Sequence, residues 1–169
     1  MKRLALSGSI LLASFGLLFA GGPAPRREDV PKYLEMLKTS TSGDERALAA
    51  DMLGRRGAVN VKDVAEAVQP LRSALKSDTV TKVRLAAAKA IGMIAPEPAG
   101  ETVPLLIEVL GDKDYGLRMA VVQTLAAYGP EAREALPALR SLQKETKDKK
   151  DAKMVNMAIS TISEKKKKQ

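Results

Sequence analysis

From Val30 onward the chain repeats one pattern of apolar and polar positions. The segments VPKYLEML from Val30, VQPLRSAL from Val68, VPLLIEVL from Val103 and LPALRSLQ from Leu136 each combine an early proline with apolar residues three or four apart. That spacing predicts four amphipathic helices, with proline at the first turn, where its missing N–H would be unpaired anyway. Glu28, Glu101 and Glu134 each precede a proline by three residues and suit the positive end of a helix dipole. After each of these helices comes a polar break and then a second apolar-periodic stretch. These are ERALAADMLG from Glu45, VRLAAAKAIG from Val83, LRMAVVQTLA from Leu117 and AKMVNMAIS from Ala152.

Two independent markers advance together along the chain. Arg46, Arg84 and Arg118 are 38 and 34 residues apart, and Pro31, Pro70, Pro104 and Pro137 are 39, 34 and 33 apart. Each unit is therefore a helix, a turn and a helix, too small to bury its own apolar face, so neighbouring units must stack. In the second unit Val83, Ala86, Ala87, Ala90, Ile91 and Ile94 recur at helical spacing and predict the core side of the helix. Gly54 and Gly92 are expected to relieve crowding or to end their helices.

SALKSDTVTKVRLAAAKAIG and EVLGDKDYGLRMAVVQTLAAYG resemble HEAT repeats, in particular the short bacterial HEAT-like type. The shared features are an apolar first helix, Asp in the turn, a Val-Arg or Leu-Arg pair, an Ala-rich second helix and a closing Gly. The resemblance runs from about Val30 to Ile162; in the last unit Lys153 stands in for Arg and Ser160 for Gly. It implies an all-α, right-handed α-α superhelix, a HEAT-like solenoid of about four repeats, at about 30–58, 61–99, 103–132 and 136–163. It also implies a structural ladder in which the turn acids Asp78 and Asp112 meet Arg84 and Arg118 of their own or adjacent repeats. Ser40, six residues before Arg46, departs from that pattern. In such a superhelix the second helices line the concave side. Leu85, Ala88, Lys89, Met119, Val122 and Gln123 would then form a shallow, partly apolar groove for a protein partner, joined in the first repeat by Ala47, Ala50 and Asp51.

The N-terminus changes where this solenoid is expected to work. Lys2 and Arg3 precede an apolar run from Leu4 to Ala20, then GGPAPRRED, which is the pattern of a secretory signal peptide over residues 1–20 with a linker at 21–29. Export to the periplasm or extracellular space is expected, the alternative being a membrane anchor formed by an uncleaved segment. Cysteine is absent, so packing alone must hold the exported domain. Both phenylalanines, Phe15 and Phe19, lie in the leader and there is no tryptophan. The core must be Leu, Ile, Val, Met and Ala, as in closely packed helices.

Charge and candidate chemistry narrow the function further. Of the net +8, the leader carries +2 and Lys144–Gln169 carries +5, which leaves +1 for residues 21–143. A near-neutral body offers no basic groove for nucleic acid, although some HEAT-like proteins bind DNA and others attach pigments. With neither His nor Cys, the usual general base, thiol nucleophile and common zinc sites are excluded, and no metal or cofactor is expected. GRRG at Gly54 lacks the Lys-Ser/Thr of a phosphate loop and reads as a helix end. The basic tail at 164–169, with Lys165, Lys166, Lys167 and Lys168, reads as a solubilising terminus or a weak contact with an anionic envelope surface. These readings describe a non-catalytic exported scaffold that binds protein through its concave face. The alternative is an accessory or regulatory subunit of an envelope enzyme, attached to an anionic surface by its lysine tail; a hydrolase built on scattered carboxylates is a weaker third.

Overall fold

The computed structural model describes residues 23–95 and 99–164. The expected leader and the four tail lysines lie outside the described residues. Eight α-helices follow in order: α1 Val30–Thr39, α2 Gly43–Val59, α3 Val68–Ser77, α4 Thr81–Ile94, α5 Ala99–Val109, α6 Tyr115–Tyr128, α7 Leu136–Glu145 and α8 Lys149–Ser163. No strand occurs among the described residues, and none of their helices is long and apolar enough to cross a membrane. The protein is an all-α, HEAT-like solenoid.

Within each pair the first helix lies against the second, and α2, α4, α6 and α8 line up side by side as a second layer. Contacts between successive second helices are far denser than those between α1, α3, α5 and α7. Small residues explain why. A Cβ on Gly54 would lie 2.7 Å from the Ala90 Cα, and one on Gly92 would lie 2.9 Å from the Thr124 Oγ1. The second helices therefore form the more tightly packed, inner layer of contacts between successive pairs.

Local chemistry sets the helix ends and corrects several expectations. Ser42, Asp114 and Asp148 cap α2, α6 and α8 by accepting backbone N–H bonds from the first turn. Gly54 and Gly92 do not end helices: both lie inside them, and GRRG is an internal stretch of α2, which continues to Val59. Gly129, at φ 55°, does stop α6 in a conformation that other residues rarely adopt. Pro104 was expected at a first turn but lies inside α5, which starts at Ala99. The segments before α3 and α7 form short 3-10 helices, Val61–Ala67 and Gly129–Ala135, whereas the lead-in to α5 is itself α-helical. Pro104 therefore forgoes the amide bond to the Gly100 carbonyl.

Leu53, Leu71, Leu75, Leu106, Leu117, Leu125, Leu139 and Ile162 are fully buried and run as one core through all four pairs. Thr124 is a buried polar exception. Its hydroxyl lies 2.8 Å from the Ala88 carbonyl on the neighbouring helix and 3.0 Å from the Ala120 carbonyl on its own, so it ties α6 to α4.

Candidate functional site: the turn ladder and the inner groove

The turns between paired helices share one geometry. In each of the first three units a side chain two residues before the N-cap accepts the N-cap's backbone N–H. The pairs are Ser40 Oγ with Ser42, Asp78 Oδ1 with Val80, and Asp112 Oδ1 with Asp114, at 3.1, 2.9 and 2.8 Å. Four residues after each N-cap an arginine returns to the turn. Arg46, Arg84 and Arg118 donate from Nη1 to the carbonyls of Ser40, Asp78 and Asp112, at 2.9, 3.3 and 2.6 Å. Each arginine thus grips its own turn by the backbone.

The carboxylates go to the preceding unit. Arg46 binds Asp78 through Nε and Nη2 at 2.7 and 2.8 Å. Arg84 reaches Asp112 through Nη2 alone, at 3.2 and 3.3 Å. The Arg46 hydrogen bonds hold the Asp78 carboxyl below the usual carboxylate range, and the bond to Asp78 raises the Arg46 guanidinium in turn. Ser40 now has a physical explanation: among the described residues no arginine of an earlier unit faces it, so a hydroxyl serves the turn as well as a carboxylate. At the other end the N-cap Asp148 fixes the register, which places Thr146 where Asp78 and Asp112 stand and Ala152 where the arginines stand. Lys153, expected to replace the arginine, is one position out of register. Among the described residues Arg118 has no rung carboxylate, and it lies instead over the Tyr115 ring, 5.3 Å from its centroid. The Tyr115 hydroxyl donates to Asp151, and that bond pushes its pKa up to about 12.

The expected concave-face residues divide into two groups. Ala88, Met119 and Val122 are buried, as are Ala47 and Ala50 in the first unit. They correct the sequence reading: a second helix in this stack is covered by its own first helix and by the second helices on either side, so only a narrow strip meets solvent. Ala88, four residues beyond the arginine, lies on the face of α4 that meets Thr124 of α6, and Val122 holds the same position in α6. Leu85, Lys89 and Gln123 remain half-buried on the accessible strip. Gln123 Nε2 lies 3.3 Å from the Met154 sulfur on α8.

A groove of about 390 Å³ runs between α2 and α4 on this inner layer. Ala47, Leu48, Leu85 and Ala86 form its apolar floor, Asp44 and Asp51 stand on the α2 wall, and Lys82 and Lys89 stand on the α4 wall. Lys82 pairs with Asp44 across the top, and this bond lowers the Asp44 pKa. Asp51 accepts from Arg55 Nε at 2.8 Å. Sequence reasoning did not single out Asp44, Leu48 or Lys82; their signal was their place two residues either side of the ladder arginines. No group of three or more potential metal ligands occurs among the described residues.

The two-layer stack of helix pairs defines an α-solenoid. An engineered protein of known crystal structure is similar over 79% of this chain, at 26% identity and a TM-score of 0.65. The chain spans 62% of that protein's length. A designed armadillo repeat protein, solved in complex with the peptide (KR)4, is similar over 83% of this chain and 70% of its own, at 18% identity and a TM-score of 0.67. The HEAT repeat model matches residues 30–100 and 68–160, and the chain belongs to that family. No curated protein matches it significantly.

Proposed function

We propose that the chain is a non-catalytic, exported scaffold that binds a protein segment along its inner helical layer. The observation that carries this reading is the α2–α4 groove, whose apolar floor lies between walls bearing charges of both signs. An extended or helical segment could set an apolar side chain on Leu48, Leu85 and Ala86 and meet Asp51 and Lys89 with its polar groups. The designed armadillo protein solved with a bound peptide supports the reading only by likeness of fold. Export rests on the leader pattern of residues 1–20.

The test uses the full chain as bait against envelope extract, with the captured protein identified and then titrated against variants. Leu85→Glu combined with Lys89→Glu is expected to abolish that complex while leaving helical signal and melting temperature nearly unchanged. Survival of the complex in the double variant would overturn the groove reading. Export is tested separately by N-terminal sequencing of envelope material, which is expected to begin near Gly21.

A further inference from the structure

We infer that the edge of the solenoid carrying the turns between paired helices is a docking surface for an anionic lipid bilayer. The ladder brings these turns together: Arg46 meets Asp78, Arg84 meets Asp112 and Tyr115 meets Asp151, so the N-termini of α2, α4, α6 and α8 share one edge. Lys38, Lys76, Lys113, Lys144, Lys147 and Lys149 stand exposed along it, and none has a carboxylate within ion-pair distance among the described residues. The acids of the same edge have other partners. Asp78 and Asp112 hold the ladder, Asp114 and Asp148 cap helices, Asp44 pairs with Lys82, and Glu45, Glu145 and Asp151 accept from Ser40, Ser141 and Tyr115, so the lysines outnumber the acids left without a cationic or capping partner.

Helix stability accounts for only half of these lysines. Lys38, Lys76 and Lys144 sit in the last turns of α1, α3 and α7, where a cation suits the helix dipole. Lys113 and Lys147 lie in turns, and Lys149 opens α8, where the dipole disfavours a cation. Two of the exposed large apolar side chains, Val80 at 37% and Tyr115 at 44% exposure, stand on the same edge. Lysines that attract an anionic surface, beside an aliphatic and an aromatic side chain that can enter the headgroup layer, are what a peripheral membrane contact requires. The Asp44–Lys82 pair at this edge also bounds one end of the α2–α4 groove, whose other lining residues lie further along the helices. None of the residues named for this surface belongs to the Lys165–Lys168 tail.

Sedimentation of the full chain with vesicles tests the inference. The apolar run Leu4–Ala20 is common to parent and variants, so its contribution cancels when they are compared. The parent is expected to partition more strongly onto vesicles of mixed phosphatidylglycerol and phosphatidylcholine than onto phosphatidylcholine alone, and added salt should reduce the excess. Each neutralised lysine is worth about fivefold at such a surface, so Lys147→Gln with Lys149→Gln should lower the partition coefficient about 25-fold. Val80→Ser should lower it further with little change in melting, and removing residues 165–169 should leave the lysine effect intact. Equal partition onto neutral and anionic vesicles, or parent-like binding by the lysine double variant, would overturn the inference. So would binding to soluble dextran sulfate as tight as to anionic vesicles, with Val80→Ser without effect on either.

Discussion

Arg46 on α2 holds Asp78 in the turn of the following unit through two hydrogen bonds, from Nε and Nη2 to its two carboxylate oxygens, of 2.7 and 2.8 Å. The side chains of the pair are only 14% and 9% exposed, against 19% and 25% for Arg84 and Asp112. Fork geometry and partial burial raise such a contact above the 0–1 kcal/mol of a solvated surface pair. The two rungs are therefore unequal, although the sequence writes them alike.

That inequality is measurable. Asp78→Asn keeps an acceptor for the Val80 N–H while removing the charge, and should cost about 2–3 kcal/mol of unfolding free energy. Asp112→Asn should cost about 1 kcal/mol or less, because only longer contacts from one guanidinium nitrogen are weakened. Chemical denaturation of both variants checks the order, and equal costs would contradict it.

The same rung sets an acid limit on stability. The Asp78 carboxyl sits below its ordinary value of 3.8 because of the Arg46 hydrogen bonds, so protonation favours the unfolded chain. Its stabilisation is complete above the unfolded pKa of about 4 and is lost as pH falls through the lower folded value. Melting temperature should hold level from neutral pH to about pH 5 and drop below about pH 4. Asp78→Asn should flatten that drop.

Close approach of the second helices predicts opposite outcomes for two glycine substitutions. Gly54→Ala would improve intrinsic helix propensity by about 1 kcal/mol, yet its Cβ would meet the Ala90 backbone at 2.7 Å. A net loss of about 1–3 kcal/mol is expected, since backbone gives way poorly. At Gly100 nothing lies within 4 Å of an added Cβ, and Gly100→Ala should stabilise by about 0.4–1 kcal/mol. Thermal melts of the pair separate crowding from propensity.

Burial also divides the inner-layer positions. Val122→Lys places a charge where the side chain is fully buried and should abolish cooperative unfolding or cost more than about 4 kcal/mol. Leu85→Glu, on the accessible strip, should stay within about 1 kcal/mol of the parent. Parent-like melting of Val122→Lys would contradict the observed register.

The repeat was legible because two spacings, of arginines and of prolines, advance together and because small residues recur where helices must touch. The accessible strip was not. Ala88 and Val122 look like surface on a helix with one core face, but α4 and α6 are covered from three directions, and alanine on every side leaves little contrast in polarity to reveal this. The Lys153 misreading has a related origin. A basic residue near the expected spacing suggested the register, whereas the Asp148 cap, visible as an Asp ahead of an apolar helix, sets it one residue earlier. The carboxylates' preference for the preceding arginine depends on how successive units sit in space, which spacing along the chain does not encode.

Ser40 at one end of the ladder, and Thr146 with Ala152 at the other, make the array lengthen unevenly. A duplicate of the second helix pair inserted after Ile94 would bring Arg84 to face a new copy of Asp78 and would offer its own arginine to Asp112, so every junction would find its mate. A pair joined ahead of α1 would present an arginine to a serine, and one joined after α8 would present an aspartate to an alanine. Growth by internal duplication is thus compatible with these contacts, whereas growth by terminal addition requires new ones.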